Sequence, residues 1–129
     1  MAQDNVDTIE SAYAAFAKGD LEAVLDYFSD SAEIVAPPSL PWGGEYEGPE
    51  GMRTFLAKLL EHFTEFKSTP TKVLGADDNH VVVIARNTGK TKSGNRIENE
   101  VVWIYQLREG AVTSAYAFAD TTAILAALD

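Results

Sequence analysis

Apolar residues recur at helical spacing over the first part of the chain and at strand spacing over the rest. Val6, Ile9, Ala12, Tyr13 and Phe16 fall three or four apart, which marks one buried helix face. Gly19 predicts the stop of that helix as a left-handed cap. Asp20 predicts the next start by accepting backbone N–H bonds, and Leu21, Val24, Leu25 and Phe28 form the second apolar face. Residues 29–31 read as a turn and residues 33–36 as a short strand, ended by Pro37 and Pro38. Pro49 suits a first helical position. Met52, Phe55, Leu56, Leu59 and Phe63 then make the stripe of a third helix.

From Phe66 the pattern becomes that of strands. Residues 71–75, 80–88, 96–107 and 112–119 are separated by Asp77-Asp78-Asn79, by residues 90–94 and by Glu109-Gly110, hairpin connections in length and composition. Short loops force an antiparallel meander, and helices followed by consecutive strands predict an α+β fold. Residues 122–128 read as a closing helix. With no repeat, low-complexity segment or linker, residues 1–129 are expected to form one domain.

Residues 81–85 and 101–105 are apolar on both faces, whereas an antiparallel sheet with one wet face alternates. Helices cover one face; a second copy of the same sheet most economically covers the other, which predicts a homodimer through the sheet face. In the last strand Ala115, Ala117 and Ala119 lie on one side and Tyr116, Phe118 and Asp120 on the other. A flat alanine face permits close approach of another surface. The alternative cover is the chain's own loops or terminal helix.

Composition then removes whole classes of function. A net charge of −10 argues against nucleic acid, which is gripped by clustered Lys and Arg. No run approaches the roughly 20 apolar residues of a membrane helix, and no basic-then-apolar leader opens the chain, so a cytoplasmic location is expected. Zero Cys excludes disulfides, thiolate metal sites and Cys nucleophiles. The two His give no zinc spacing, and the glycines of Trp42-Gly43-Gly44 and residues 48–51 lack the spacing of a phosphate loop.

Residues 13–28, with two helices broken by Gly19-Asp20, and residues 41–52, a Pro/Gly-rich loop holding Trp42 before a helix, carry a family resemblance. Residues 32–36 and 117–121 add to it. Together they resemble the SnoaL-like and ketosteroid-isomerase-like branches of the nuclear transport factor 2-like superfamily. The resemblance implies a cone-shaped half-barrel, a strongly curved antiparallel sheet packed on three N-terminal helices round a cavity. By family position and strand parity, Trp103, Tyr105, Tyr116, Phe118 and Asp120 face inward. Tyr13, Phe16, Trp42, Phe55 and Leu56 close the pocket from the helical side. Such a pocket suits a small apolar or aromatic, oxygen-bearing molecule.

A carboxylate in an aromatic pocket has its charged form disfavoured and can exchange protons near neutral pH. The resemblance thus implies cofactor-free isomerisation, cyclisation or dehydration, with Asp120 as proton carrier and Tyr105 or Tyr116 as hydrogen-bond donor. Asp120 also directly precedes Thr121-Thr122-Ala123, where it could simply cap the last helix. Other polar positions of the family are missing: Ala36 stands where ketosteroid isomerases carry an Asp base, and Trp103 where relatives carry an acid or a His. A binding protein of the same shape without chemistry, or a dimerisation domain, therefore stands beside the enzyme reading. Glu98 and Glu100 read as a solvated pair answering Arg86 on the facing strand.

Overall fold

The computed structural model describes residues 2–129. Helix α1 (Ala2–Ala17) ends before Gly19, whose φ is 76° and whose N–H donates to the Phe16 carbonyl at 2.9 Å. Asp20 caps the short helix α2 (Leu21–Leu25), its carboxylate accepting from the Ala23 N–H. Two strands follow before the next helix, β1 (Phe28–Ala36) and β2 (Gly44–Glu47). The expected turn at residues 29–31 lies inside β1, as a break in register between Phe28 and Glu33. Helix α3 (Gly48–Leu60) starts with Pro49 in its first turn and buries Met52, Phe55, Leu56 and Leu59.

The second half is β3 (Phe63–Gly75), β4 (His80–Thr91), β5 (Arg96–Arg108), β6 (Ala111–Ala119) and helix α4 (Thr121–Leu128). Strand β3 tolerates Pro70 because it is an edge strand, and its register slips between Pro70 and Lys72. The six strands run in the order β2-β1-β6-β5-β4-β3, antiparallel except for the parallel pair β1–β6. This corrects the expected cone-shaped half-barrel of strongly curved antiparallel sheet. The sheet is mixed and open, with β2 and β3 as its two edges, and it is neither strongly curved nor closed. The sheet is mixed because β1, read from sequence as a short strand, inserts beside β6 in parallel, and β2 extends it to the edge. Helix α1 lies against β3 and β4, and α3 against β1.

One irregularity decides which side chains face the helices. Glu109 and Gly110, with φ of 52° and 79°, make a tight turn between β5 and β6, after which Arg108 pairs with Ala111 and Leu107 with Val112. The next pairs are Gln106 with Ser114, Tyr105 with Ala115 and Trp103 with Ala117. Thr113 is thus the extra residue of a β-bulge, and its Oγ1 donates to the Gln106 carbonyl at 3.1 Å. In an unbulged ladder, with Thr113 itself opposite Gln106, Trp103 would pair with Tyr116. A shift of one residue exchanges the two faces of a strand, so the bulge turns Ala115, Ala117 and Ala119 inward and Tyr116 and Phe118 outward.

Candidate ligand pocket

Between the helices and the inner sheet face lies a cavity of about 110 Å³, partly open to solvent. Its wall is aromatic and continuous. Phe55 packs edge-on against Trp103 at 5.7 Å, with Tyr46 backing Phe55 from outside the lining, and Trp103 stacks on Tyr105 at 5.7 Å and 13°. On the other side Trp42 meets Phe63 at 5.7 Å, and Phe63 meets Phe66 at 5.0 Å. Trp42, although flanked by Pro and Gly, is only 6% exposed. Its loop is held tightly: the Tyr46 hydroxyl donates to the Trp42 carbonyl at 2.8 Å. A Cβ on Gly43 would sit 1.9 Å from the Pro37 oxygen, so only glycine fits there.

Tyr13, Phe16, Trp42, Phe55, Leu56, Trp103 and Tyr105 all line this cavity. Tyr116, Phe118 and Asp120 do not, which corrects their expected inward direction; the Thr113 bulge is the cause. Phe118 is 55% exposed and Tyr116 donates a hydrogen bond to Glu33 on the outer face. Asp120 is exposed and is the N-cap of α4, its Oδ1 accepting from the Ala123 N–H at 3.2 Å. The alanine side, expected to face a second sheet, faces the cavity instead: Ala115 is fully buried, and Ala117 and Ala119 line it. Arg86 pairs with Glu98 in solvent, on the face away from the pocket.

The polar groups of the wall are few and lie at two ends of strand β5. At one end the hydroxyls of Tyr13 and Tyr105 share a hydrogen bond of 2.7 Å. Burial pushes the ionisation of both above the ordinary tyrosine range. Both therefore stay protonated at neutral pH, and since one hydroxyl donates to the other, one O–H of the pair is free to donate to a ligand. At the other end, six residues or about 20 Å along the strand, Asn99 faces Asn87 across the β4–β5 pair, with Ser68 next to Asn87 on β3. All three line the cavity. Asn87 Oδ1 and both polar atoms of the Asn99 amide are buried without a hydrogen-bond partner, each a cost of about 1–3 kcal/mol. Neither asparagine is among the site residues expected from the sequence. The available signal was parity: Asn87 continues the inward series Val81, Val83, Ala85, and Asn99 the series Tyr105, Trp103, Val101.

Among the described residues, no Asp, Glu, His, Lys or Arg lines the cavity. None of their His, Cys, Asp and Glu side chains gather in a group of three or more that could hold a metal ion, and none of their helices is long and apolar enough to cross a membrane. What the site can do is enclose a small apolar body against its aromatic wall and hydrogen-bond its polar edge.

The sequence profile of the SnoaL-like domain matches residues 9–115, and the chain belongs to that family. Its fold is that of the nuclear transport factor 2-like superfamily. TerC, crystallised with polyporic acid, is similar over 97% of this chain and 98% of its own, with a TM-score of 0.90 and 23% identity. Bal32a, from a soil-derived mobile gene cassette, is similar over 99% and 98% with a TM-score of 0.90 and 25% identity. A protein of the superfamily from Burkholderia xenovorans LB400 is similar over 98% and 97%, with a TM-score of 0.84 and 25% identity. No curated protein matches the chain.

Proposed function

We propose that this chain binds a small, neutral, largely apolar ring molecule and that Asp120 takes no part in binding it. One observation carries the reading: the only ionisable groups on the cavity wall among the described residues, Tyr13 and Tyr105, are held protonated by burial. A general base needs a pKa near the working pH. The hydroxyl pair has one O–H left to donate to a ligand oxygen, and it takes no proton from carbon. The co-crystal of TerC with polyporic acid supports use of the fold as a small-molecule pocket. A cavity of about 110 Å³ is near the roughly 150 Å³ that admits benzene, so the ligand is of single-ring size.

Toluene, followed through tryptophan emission, is expected to bind the wild type and Asp120→Asn alike. Absence of binding by both toluene and 2-pyridone, each up to its solubility, would sink the reading. Loss of binding in Asp120→Asn alone would return the carboxylate to the site. Cofactor-free isomerisation, cyclisation or dehydration is the second reading, favoured by the 2.7 Å Tyr13–Tyr105 hydroxyl pair, which could polarise a bound carbonyl.

The proposal extends to assembly. The outer face of β5 and β6 leaves Ile104 37%, Tyr116 36% and Phe118 55% exposed on adjacent strands. Burying this patch against a second copy gives a homodimer with an interface of at least roughly 1,000 Å². A monomeric mass in light scattering at micromolar concentration would end that part of the proposal.

A further inference from the structure

Three unpaired polar atoms in an otherwise apolar wall call for an occupant that pairs them. Whichever way its side chain is turned, an asparagine amide presents one donor and one acceptor in one plane. Asn99 offers both, unpartnered, and Asn87 adds at least a further acceptor directly across the strand pair. Their partner must therefore carry a donor and an acceptor side by side. It must also be neutral: the cavity wall among the described residues holds no cation for a carboxylate and no acid for an amine, and the chain carries a net charge of −10. The aromatic lining and the volume of about 110 Å³ suit a single planar ring.

From these observations we propose that Asn87 and Asn99 are the specificity element of the pocket and read the amide-like edge of a single planar ring. Lactams, cyclic imides and 2-pyridone-type rings have this edge, with N–H and C=O adjacent. The N–H meets an asparagine Oδ1 and the C=O meets Asn99 Nδ2. A site built to hydrogen-bond such groups discriminates against the shape-matched hydrocarbon, because its own buried polar atoms would then stay unpaired. Helix α4 closes this end of the pocket: Ile124 lines the cavity, and Asn95 Nδ2 holds the Ala127 carbonyl at 3.0 Å.

The inference rests on the ligand-binding reading, and the experiment separates the two. Binding of 2-pyridone and of toluene, which match in heavy-atom count and planarity, is measured by calorimetry on the wild type and on Asn87→Leu/Asn99→Leu. The ratio of the toluene Kd to the 2-pyridone Kd is expected to fall about tenfold or more in the double variant, as two neutral hydrogen bonds are lost. The unliganded melting temperature is expected to rise, because the orphaned amides are gone. If toluene binds the wild type but the ratio does not move, the asparagine proposal falls and the pocket stands. If neither probe binds the wild type, both fall. Should the double variant fail to fold, Asn99→Leu removes two of the three unpaired atoms, and the same ratio decides.

Discussion

The two faces of strand β6 differ in the size of the side chains they carry. Inward it shows Ala115, Ala117 and Ala119, and outward Tyr116 and Phe118. Small side chains inside leave the volume that becomes the cavity opposite Trp103 and Tyr105. Large ones outside make the patch proposed to meet a second copy. The arrangement reverses the usual expectation that the bulkier side of a strand fills the core. It also shows that a cavity can be made by choosing which face of a strand turns inward, with no change in composition.

The largest expected effect comes from changing strand length at the bulge. An alanine inserted between Thr113 and Ser114 must either widen the bulge or drive Tyr116 and Phe118 into the cavity, at a loss of about 3 kcal/mol or more. Deleting Thr113 leaves Gln106 opposite Ser114 with the faces unchanged, so that variant is expected to fold with a loss of about 1–2 kcal/mol and to bind toluene. Urea unfolding of the pair checks this, and equal losses in both would refute the role given to the bulge.

A smaller effect is expected from the outer face alone. Tyr116→Ser/Phe118→Ser is expected to weaken self-association by about 2 kcal/mol, or roughly thirtyfold in Kd, with little change in ligand affinity. Sedimentation equilibrium reads the first and calorimetry the second. A dimer of undiminished strength would move the contact to another surface.

The smallest effect compares tyrosines on the two faces. Both Tyr105 and Tyr116 ionise above the ordinary tyrosine range, Tyr105 through burial and Tyr116 mainly through its hydrogen bond to Glu33. A group whose folded pKa is raised contributes stability that is complete below its unfolded value, about 10 for tyrosine, and is lost as pH rises through the folded value. The melting temperature is therefore expected to fall from about pH 10 upward, and to fall less in Tyr13→Phe/Tyr105→Phe. In a spectrophotometric titration the exposed Tyr116 is expected to ionise before Tyr105. An unchanged alkaline profile in the double variant would mean that the buried pair is not what titrates.

Much of this was legible before the fold was known. The Gly19 stop, the Asp20 cap, Pro49 at the start of α3 and the Glu109-Gly110 turn are local signals, and each has its mechanism within four residues. The parallel β1–β6 pairing was not legible, because pairing between segments far apart in sequence leaves no local trace. The bulge was missed for a related reason. Strand parity extrapolated from Trp103 assumes an unbroken ladder, and nothing about Thr113 announces an extra residue. That assumption, together with family position, turned Tyr116, Phe118 and Asp120 inward. Asp120 as a helix cap was readable from Thr121-Thr122-Ala123, and the asparagine pair from strand parity on β4 and β5.

The place of β1 in the sheet also bears on how the chain folds. Strands β1 and β2 join the other four only through β6, with Ile34 beside Ala115 and Val35 beside Tyr116. Until β6 has left the ribosome, the β1–β2 pair and the β3–β5 meander share no sheet hydrogen bond, and each carries a raw edge. Closing so long a loop is slow, and edges that wait can pair with other chains. A nascent chain stalled before residue 111 would thus hold two half-sheets in search of the strand that unites them.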